Sequence, residues 1–496
     1  MNAQAAPAAP VRIEGRAGFR APAGRVAELP GPRPWPVVGN MPQLRRNGAH
    51  AVFESWAQRY GALFRLRFGP YRAVGITEPG LIDQLLRHRP VDVARSPRVS
   101  QIINETGFKG VFTAEGEAWR RQRRLVMRAL TPETIRTFFP VIATVTTRLH
   151  ARWRAAAAQG RRPDVLRDLK CYSIDVTTWL TMGLDIDTLD HDADGLQADV
   201  QTWFDTVGRR LPRPFRYWHW LRLPADRRSD AAIARLHATV DGLIAGARRA
   251  LAEQPQLRQR PRNILQALVA ARDEPGSEFS DDDVHGNVAV MLFAGEDTTA
   301  NTMAWLLYHL ATEAQACAAA RDQVDALLGA GCAAAEFAQL EALTHIEAAA
   351  LESMRLKPIA PVQGMQANVD LDLAGLFVPR GHLLFLLPRV CATDERNFAQ
   401  AQCFRPGRWL ETGAGDDGDD RRSMFPFGGG QRYCPGRFLA MVEIKMVTAM
   451  VLGSFELRLH EDAPPVGECF SFTMAPEPLP LAFGLRVPAA PSLNAG

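Results

Sequence analysis

The residues best suited to chemistry lie near the C-terminal end, in the stretch FGGGQRYCPG over residues 427–436. Three consecutive glycines, and the Pro-Gly pair after Cys434, predict a tight loop that can approach a flat, bulky group. Apolar residues at helical spacing follow, so we predict a helix over 437–452. Cys434 then precedes a helix N-terminus, whose free N–H groups favour a thiolate over a thiol. Such a thiolate is a suitable axial ligand for haem iron, with Arg432 placed to meet a propionate.

The spacing Phe-x-x-Gly-x-Arg-x-Cys-x-Gly in this stretch resembles the haem-binding signature of the cytochrome P450 family. The resemblance implies that Cys434 holds the iron and that Phe427, Gly428 and Gly436 lie against the haem. By itself, a glycine-rich loop with one cysteine is more often a plain turn that carries a bystander thiol. Three further motifs of the family occur upstream in the family's order, and together they favour the resemblance.

The first of these motifs is Trp119-x-x-x-Arg123 on a predicted helix. Residues four apart project from one face of a helix. In the family this pair hydrogen-bonds a haem propionate, whereas alone it would indicate an amphipathic helix with a solvated basic face. The resemblance also implies that this helix borders the cysteine-ligand face. The surplus arginines would then form a docking patch for an electron donor, or a solvated basic face only: Arg120, Arg121, Arg124 and Arg128.

The second motif lies in the longest predicted helix, which begins after Ser280 and runs to about Leu310. Ser280 and Asp283 have the spacing of an N-terminal cap. The middle of the helix reads AGEDTT over 294–299, where a glycine and β-branched residues are poor helix formers. Something other than helix propensity therefore keeps them there.

This stretch resembles the family's Ala-Gly-x-Asp/Glu-Thr-Thr motif, whose local helix distortion opens a groove for dioxygen. The resemblance implies that Ala294 and Gly295 lie against the haem. It also implies that Thr298 hydrogen-bonds bound oxygen and that Asp297 supplies protons from solvent.

The third motif is Glu352-x-x-Arg355, whose two residues can pair on one helix face. The family adds an arginine from a later segment, here Arg408, to complete a buried Glu–Arg–Arg cluster. Gly407 stands where the family usually has a glutamate, so we expect one ionic contact beside the cluster to be missing. The pair Met365-Gln366 also lacks the Arg or His that often meets a propionate there.

The rest of the chain predicts a mainly α-helical fold with small β-sheets. Residues 133–270 have mostly helical periodicity, whereas 96–112 has no clean period and indicates a long loop. In the family that loop covers the substrate pocket. Further predictions are a helix over 51–60, strands over 63–68, 73–76, 371–378 and 383–387, and an acidic surface loop over 413–420.

Leu211–Pro224 is unusual because Phe215, Tyr217, Trp218 and Trp220 interleave with arginines. Such a pattern is compatible with contact to nucleic acid or to a lipid surface. A place in the core, or in the mobile lid that the family has in this region, is the more frequent explanation.

Composition describes an ordinary globular protein, with 47% hydrophobic and 23% charged residues and a net charge of +4 over 496 residues. This balance gives no indication of nucleic-acid binding. Seven cysteines without a C-x-x-C pair favour reduced thiols and a cytoplasmic location. Residues 1–26 are rich in Ala, Pro, Gly and Arg and lack an apolar run, so we predict a flexible tail without a membrane span, followed by a single domain over 27–496.

The sequence thus predicts a cytochrome P450 fold containing haem b. The resemblance implies a monooxygenase that inserts one oxygen atom from dioxygen into a C–H or C=C bond of a hydrophobic small molecule, as in secondary metabolism. No flavin or iron–sulfur module is evident, so we expect electrons from a separate ferredoxin or flavodoxin with its NAD(P)H reductase. Two alternatives are a haem-thiolate peroxygenase or rearrangement enzyme and a non-catalytic haem sensor.

Overall fold

A computed structural model of the chain describes residues 9–44, 48–191, 195–213, 215–329, 331, 335–410 and 419–486. In these ranges the architecture is mainly α-helical with four small β-sheets, as the sequence predicts. The helices are α1 (Ala49–Tyr60), α2 (Pro79–Arg87), α3 (Pro97–Asn104), α4 (Gly116–Ala129), α5 (Pro132–Ala158), α6 (Val165–Met182), α7 (Leu196–Arg210), α8 (Pro224–Glu253), α9 (Ile264–Asp273), α10 (Asp281–Thr312), α11 (Ala314–Leu328), α12 (Phe337–Ala342), α13 (Thr344–Leu356), α14 (Pro388–Ala392) and α15 (Arg437–Ser454).

The largest sheet has five strands in the order β2-β3-β8-β5-β4. A second sheet has the order β1-β6-β7, and β10-β11 and β9-β12 form two antiparallel pairs. The strands are β1 (Val11–Ile13), β2 (Leu63–Phe68), β3 (Tyr71–Ile76), β4 (Val93–Arg95), β5 (Gln363–Ala367), β6 (Leu371–Leu373), β7 (Leu376–Val378), β8 (Leu383–Leu386), β9 (Phe455–Leu459), β10 (Gly467–Phe470), β11 (Met474–Glu477) and β12 (Leu481–Leu485).

Helix α10 is the central element of the fold. It packs along α6 and also contacts α8, α9, α13 and α15. Its N-terminus is capped as predicted, since the Asp283 N–H donates to Ser280 Oγ (3.1 Å) and the Ser280 N–H donates to the Asp283 carboxylate (2.9 Å). Buried apolar side chains occur all around the helix, as expected for an element enclosed by others.

Two segments differ from the predicted secondary structure. Residues 97–104 of the expected loop form helix α3, which Pro97 begins and whose Ile102 and Ile103 are buried in the core. The expected strand over 371–378 is a hairpin, because Ala374 and Gly375 have positive φ and turn the chain between β6 and β7.

The predicted tail also differs from the structure where residues 9–26 are described. Val11–Ile13 pairs in parallel with β6, and Ile13 is fully buried. Arg16 donates a hydrogen bond to Asn397 (2.5 Å) and also pairs with Asp420. Strand β1 and Arg16 are therefore packed on the rest of the fold rather than part of a free segment.

Candidate active site

A cavity of about 1330 Å³ lies against α10 and the cysteine loop. The predicted pocket segments reach it: 96–112 contributes Phe108 and Phe112, and the lid region contributes Leu211 and Pro212. Helix α7, which precedes the lid, adds Trp203 and Phe204. Mostly apolar and aromatic side chains therefore enclose this space. The predicted site residues that line it are Trp119, Arg123, Ala294, Gly295, Asp297, Thr298, Phe427, Gly428, Arg432, Cys434 and Gly436.

The cysteine loop is folded back on itself by its glycines. Gly428 has φ +73° and Gly430 has φ +62°, values that L side chains rarely adopt. A Cβ on Gly430 would overlap the Leu86 carbonyl, so α2 also packs too closely for a larger residue. The Cys434 N–H donates to the Phe427 carbonyl (2.9 Å), which closes the loop just before α15.

The Cys434 thiol lies before a helix N-terminus, a position from which we expected a lowered pKa, but its surroundings have the opposite net effect. The backbone N–H groups of Gly436 and Arg437 lower its pKa, and so does the charge of Arg123. Burial has the larger effect, so the pKa of the free thiol is raised. The helix N-terminus alone does not produce a thiolate here, whereas a coordinated metal cation deprotonates a thiol.

Four arginines lie in or near the cysteine loop: Arg89, Arg95, Arg123 and Arg432. All four line the cavity. Glu115 is the carboxylate that pairs with this group, through Arg432 at 2.5 Å. Burial lowers the pKa of all four guanidinium groups, and for Arg89, to about 10, the neighbouring Arg432 adds to the effect.

This cluster carries more buried positive charge than its protein neighbours balance. Two nitrogens of Arg89 and the Nε of Arg432 are buried without a hydrogen-bond partner among the described residues. Such groups are costly unless an anion meets them. The donor set therefore fits a ligand that brings carboxylates, and the two propionates of haem meet that requirement.

Arg95 lies beside the pair Met365-Gln366, which has no Arg or His. Strands β4 and β5 pair so that Arg95 lies directly opposite Met365. Strand β4 thus places a cation next to this pair, and Gln366 donates to the Gly381 carbonyl (2.9 Å). Sequence spacing could not reveal this, because the two residues lie far apart in the chain.

Trp119 and Arg123 lie on α4, as predicted, and both contact the cysteine loop. The Arg432 guanidinium lies over the Trp119 ring, 4.6 Å from its centroid. Arg123 donates to the Tyr433 carbonyl (2.5 Å). Helix α4 and the loop are therefore held together by the same cations that face the cavity.

The AGEDTT stretch places its residues on different sides of α10. Thr298 lines the cavity and its hydroxyl donates to the Ala294 carbonyl (2.8 Å). A Cβ on Gly295 would overlap Thr177, so this glycine permits the close approach of α6. The helix is continuous from Asp281 to Thr312, so the expected local distortion does not interrupt it.

Asp297 is more enclosed than a direct proton donor from solvent would be. Its carboxylate pairs with Lys170 of α6 at 2.8 Å and accepts a hydrogen bond from Thr473. Glu296 is fully buried, and burial followed by the charge of Asp297 raises its pKa to about 8. Lys170 and Glu296 are functional candidates that the motif comparison missed.

The Glu–Arg–Arg cluster forms as predicted, and the carboxylate of Glu352 is its centre. Arg355 donates to it twice (2.7 and 2.9 Å) and Arg408 donates once (3.1 Å). Gly407 has no side chain to make an ionic contact, and Asp419 pairs with the neighbouring Arg408 at 2.6 Å. Of the predicted acidic loop over 413–420, only 419 and 420 are within the described residues.

The lid region contains both buried and exposed aromatic residues. The Trp218 indole is buried and donates to Glu105 (2.9 Å), which joins the segment to the end of α3. Phe215 and Trp220 face outward. The prediction that this stretch lies in the core therefore holds for Trp218, but not for Phe215 and Trp220.

Comparison with known proteins agrees with this arrangement. The family model described as Cytochrome P450 matches residues 29–483. A human protein described as 25-hydroxyvitamin D-1 alpha hydroxylase, mitochondrial, is 27% identical, with 91% of each chain aligned.

Two further relatives come from a plant and a bacterium. Protein LUTEIN DEFICIENT 5, chloroplastic, of Arabidopsis thaliana is 27% identical over 82% of this chain and 69% of its own. Cyclooctatin synthase of Streptomyces melanosporofaciens is 28% identical over 88% of this chain and 93% of its own. Among the described residues, none of the helices has the length and apolarity needed to cross a bilayer.

Proposed function

The chain belongs to the cytochrome P450 family and is a monooxygenase of that family, and on this premise we propose that it binds haem b and oxygenates a hydrophobic small molecule. The reaction would insert one atom of dioxygen into a C–H or C=C bond. The observation that carries the proposal is the shared cavity: Cys434, the cationic cluster and Thr298 all line it.

The residues that would hold the haem follow from their chemistry. Cys434 supplies the thiolate for the iron, and Arg89, Arg95, Arg123 and Arg432 supply cations for the propionates. Such a haem binds dioxygen, and its thiolate ligand favours O–O cleavage. Propionates bound at Arg89 and Arg432 would give these buried guanidinium groups the acceptors that they lack. Haem binding would therefore stabilise the fold.

Thr298 is the proposed proton donor within the cavity. The Thr298 hydroxyl donates to the Ala294 carbonyl, and it can rotate toward the cavity because Thr298 lines that cavity. Asp297 directly precedes Thr298 in the chain and would restore the proton at Oγ1. Lys170 pairs with the Asp297 carboxylate at 2.8 Å, so Asp297 must leave this ion pair before it can exchange a proton with Oγ1.

The lining of the cavity supports a hydrophobic substrate of small-molecule size, and we propose a role in secondary metabolism. Aromatic side chains such as Phe108, Phe112 and Trp203 contribute much of the enclosed surface. Cyclooctatin synthase, one of the relatives, acts in the formation of the product in its name. We propose a cytoplasmic location for this chain.

The electron source is proposed to be a separate ferredoxin or flavodoxin with an NAD(P)H reductase. Of the four arginines expected to form a docking patch, Arg120 pairs with Glu117 and Arg121 pairs with Glu278 at 2.9 Å. Arg124 and Arg128 are exposed on the same helix. These two arginines are therefore the better candidates for contact with an acidic carrier.

The experiment that tests the proposal screens lipids, terpenes and polyketides against the purified holoprotein. A substrate that removes the water ligand of the iron shifts the Soret band, and reductant consumption with product formation should follow. Product formed from dioxygen and reductant supports the proposal. A spectral shift without turnover would indicate a sensor, and turnover with peroxide alone would indicate a peroxygenase.

A further inference from the structure

Two histidines contact each other where α8 packs on α10. His237 lies on α8, His285 lies on α10, and Nδ1 of the first is 3.2 Å from Nε2 of the second. The other ring nitrogen of His237, Nε2, is 2.9 Å from the Thr106 carbonyl. Because a carbonyl only accepts, His237 carries its proton on Nε2, and its Nδ1 accepts from the Nε2–H of His285. The neutral histidine pair, as we call these two residues, is thus held by two consecutive hydrogen bonds that end on the backbone of Thr106.

The histidine pair supports a turn in the wall of the cavity. Phe108 is fully buried and lines the cavity, and its ring is nearly parallel to both imidazoles. The ring centroids are 4.4 Å apart for His237 and 5.8 Å apart for His285. Gly107 has φ +86°, and a Cβ there would overlap the His237 ring. The 105–108 turn, which contains both residues, therefore packs directly on the histidine pair.

The residues that follow the turn are attached to α10 by contacts that do not titrate. Lys109 lies so close to the helix that a Cβ on Gly286 would overlap its carbonyl. The Val111 N–H donates to the Asn287 side chain (3.0 Å). Residues 109–111 can therefore stay in place while the 105–108 turn separates from the histidine pair.

Charged groups stand near the histidine pair, but all of them are exposed to solvent: Asp241 on α8, Asp282 on α10, and Glu105 and Lys109 in or beside the turn. Asp241 lies 3.6 Å from the His285 ring, and Glu105 pairs with Arg216 at 3.0 Å. Burial lowers the pKa of His285 below its ordinary value, and the neighbouring His237 adds to this effect. Asp241 and Asp282 oppose the effect without cancelling it. The folded protein therefore favours a neutral His285.

One proton preserves the contact within the histidine pair, whereas a second proton breaks it. A proton added to Nδ1 of His285 leaves its Nε2–H in place, and the hydrogen bond to His237 becomes charge-assisted. The second proton has to bind Nδ1 of His237, which is the acceptor of that bond. Two N–H groups and two positive charges then face each other across 3.2 Å. The contact is thus fully present above about pH 6.5, the ordinary pKa of histidine, and is lost as the pH falls below it.

We propose that the histidine pair is a pH-sensitive latch on the cavity wall. When both rings are protonated, the 105–108 turn leaves α8, with residues 109–111 as the hinge. The turn stays attached to α7, because the Trp203 indole donates to the Thr106 hydroxyl (3.0 Å). Phe108 moves with the turn and opens the part of the wall that it forms. The latch controls entry to the cavity and does not depend on the oxygenation reaction.

Hydrogen–deuterium exchange of the holoprotein tests the latch. After correction for the intrinsic pH dependence of exchange, amides over 103–112 of the wild type should lose protection by at least about tenfold between pH 7.5 and pH 5.5. The loss should be steeper than a single titration allows, because two protons are required. The Soret band and the protection of α15 should not change over this range, which shows that the rest of the fold is intact.

Glutamine variants separate the latch from other effects of acid. Glutamine has a donor and an acceptor but does not titrate, so His237→Gln and His285→Gln should each keep the turn protected at pH 5.5. His191→Gln changes an exposed histidine that pairs with Asp187, and it should respond like wild type. Butyl isocyanide, an uncharged probe that binds reduced haem iron, should enter the wild type several-fold faster at pH 5.5 than at pH 7.5. It should enter His237→Gln and His285→Gln at the same rate at both pH values.

Three results would overturn the proposal. The first is wild-type protection over 103–112 that does not change with pH, and the second is an equal loss of protection in both glutamine variants. The third is a loss that disappears in His219→Gln, because His219 lies 3.3 Å from Glu105 and would then be the group that titrates. If the glutamine variants did not load haem, NMR titration of the wild-type histidines would decide. The histidine pair should titrate in two separate steps, and two independent titrations at the ordinary pKa would contradict the latch.

Discussion

Replacing Glu352 by glutamine should prevent this chain from accumulating as a stable holoprotein. The carboxylate is fully buried and accepts five hydrogen bonds. Three come from Arg355 and Arg408, one from the Arg405 N–H (2.9 Å) and one from the Trp409 indole (2.8 Å). Glutamine has the same shape, but it is neutral and turns an –NH₂ group toward donors.

The expected loss of stability follows from the buried groups that Glu352→Gln leaves without a partner. Two buried guanidinium groups lose their shared counter-charge, and removing one partner of a buried ion pair typically costs about 3–5 kcal/mol. Two donors that pointed at Glu352 Oε2 would also lack an acceptor, at about 1.5–3 kcal/mol for each bond to a charged group. The two estimates describe the same contacts and are not added together. We therefore expect Glu352→Gln to lower the free energy of unfolding by about 3–5 kcal/mol, a large part of the total stability of a typical domain.

The assay is the yield of soluble protein, its haem content per chain and its urea midpoint. Glu341→Gln is the control, because Glu341 is exposed and pairs with the exposed Arg136 at 2.9 Å. A surface pair of that kind contributes about 0–1 kcal/mol. If Glu352→Gln were as stable and as fully loaded with haem as Glu341→Gln, the buried cluster would not stabilise the fold.

Three further predictions concern α10 and the proposed docking helix. Thr298→Ala should keep haem content while reductant consumption yields peroxide rather than product, since the hydroxyl moves protons and does not hold the haem; unchanged coupling would contradict this. Arg124→Glu with Arg128→Glu should slow reduction by an acidic ferredoxin several-fold at low salt and flatten its salt dependence, and wild-type reduction rates would exclude the patch. Glu296→Gln should keep the hydrogen bond from Gln197 and remove a pH dependence of stability. Burial raises the pKa of Glu296 from 4.5 to about 8, so wild-type stability should fall as pH rises through that window. The glutamine variant should gain up to about 3 kcal/mol on wild type by pH 7, and an equal difference at pH 5 and pH 8 would refute the assignment.

The elements that local sequence determines could be predicted well. Helix α10 begins where the Ser280–Asp283 cap indicates, and Glu352 pairs with Arg355 because residues three apart share a helix face. The hairpin at Ala374 was not predicted, because a positive φ at a non-glycine residue leaves no clear signal in the sequence. Helix α3 lacks a clean period because it has only eight residues.

Contacts between distant parts of the chain could not be predicted in the same way. Arg95 reaches the arginine cluster that lines the cavity only because β4 and β5 pair in one register, and Lys170 reaches Asp297 only because α6 packs on α10. Asp419 pairs with Arg408, a contact that no motif in the sequence indicates. In each case the sequence provides the residue type, and the tertiary packing decides its partner.

The central claim is that Cys434 holds haem iron as a thiolate, and the spectrum of the reduced carbon monoxide complex tests it most directly. Wild-type protein and Cys403→Ser, which changes an exposed free cysteine, should both show the red-shifted Soret band of thiolate ligation. Cys434→Ser should lose that band. The band in Cys434→Ser, or its absence from haem-loaded wild type, would contradict the assignment of the iron ligand.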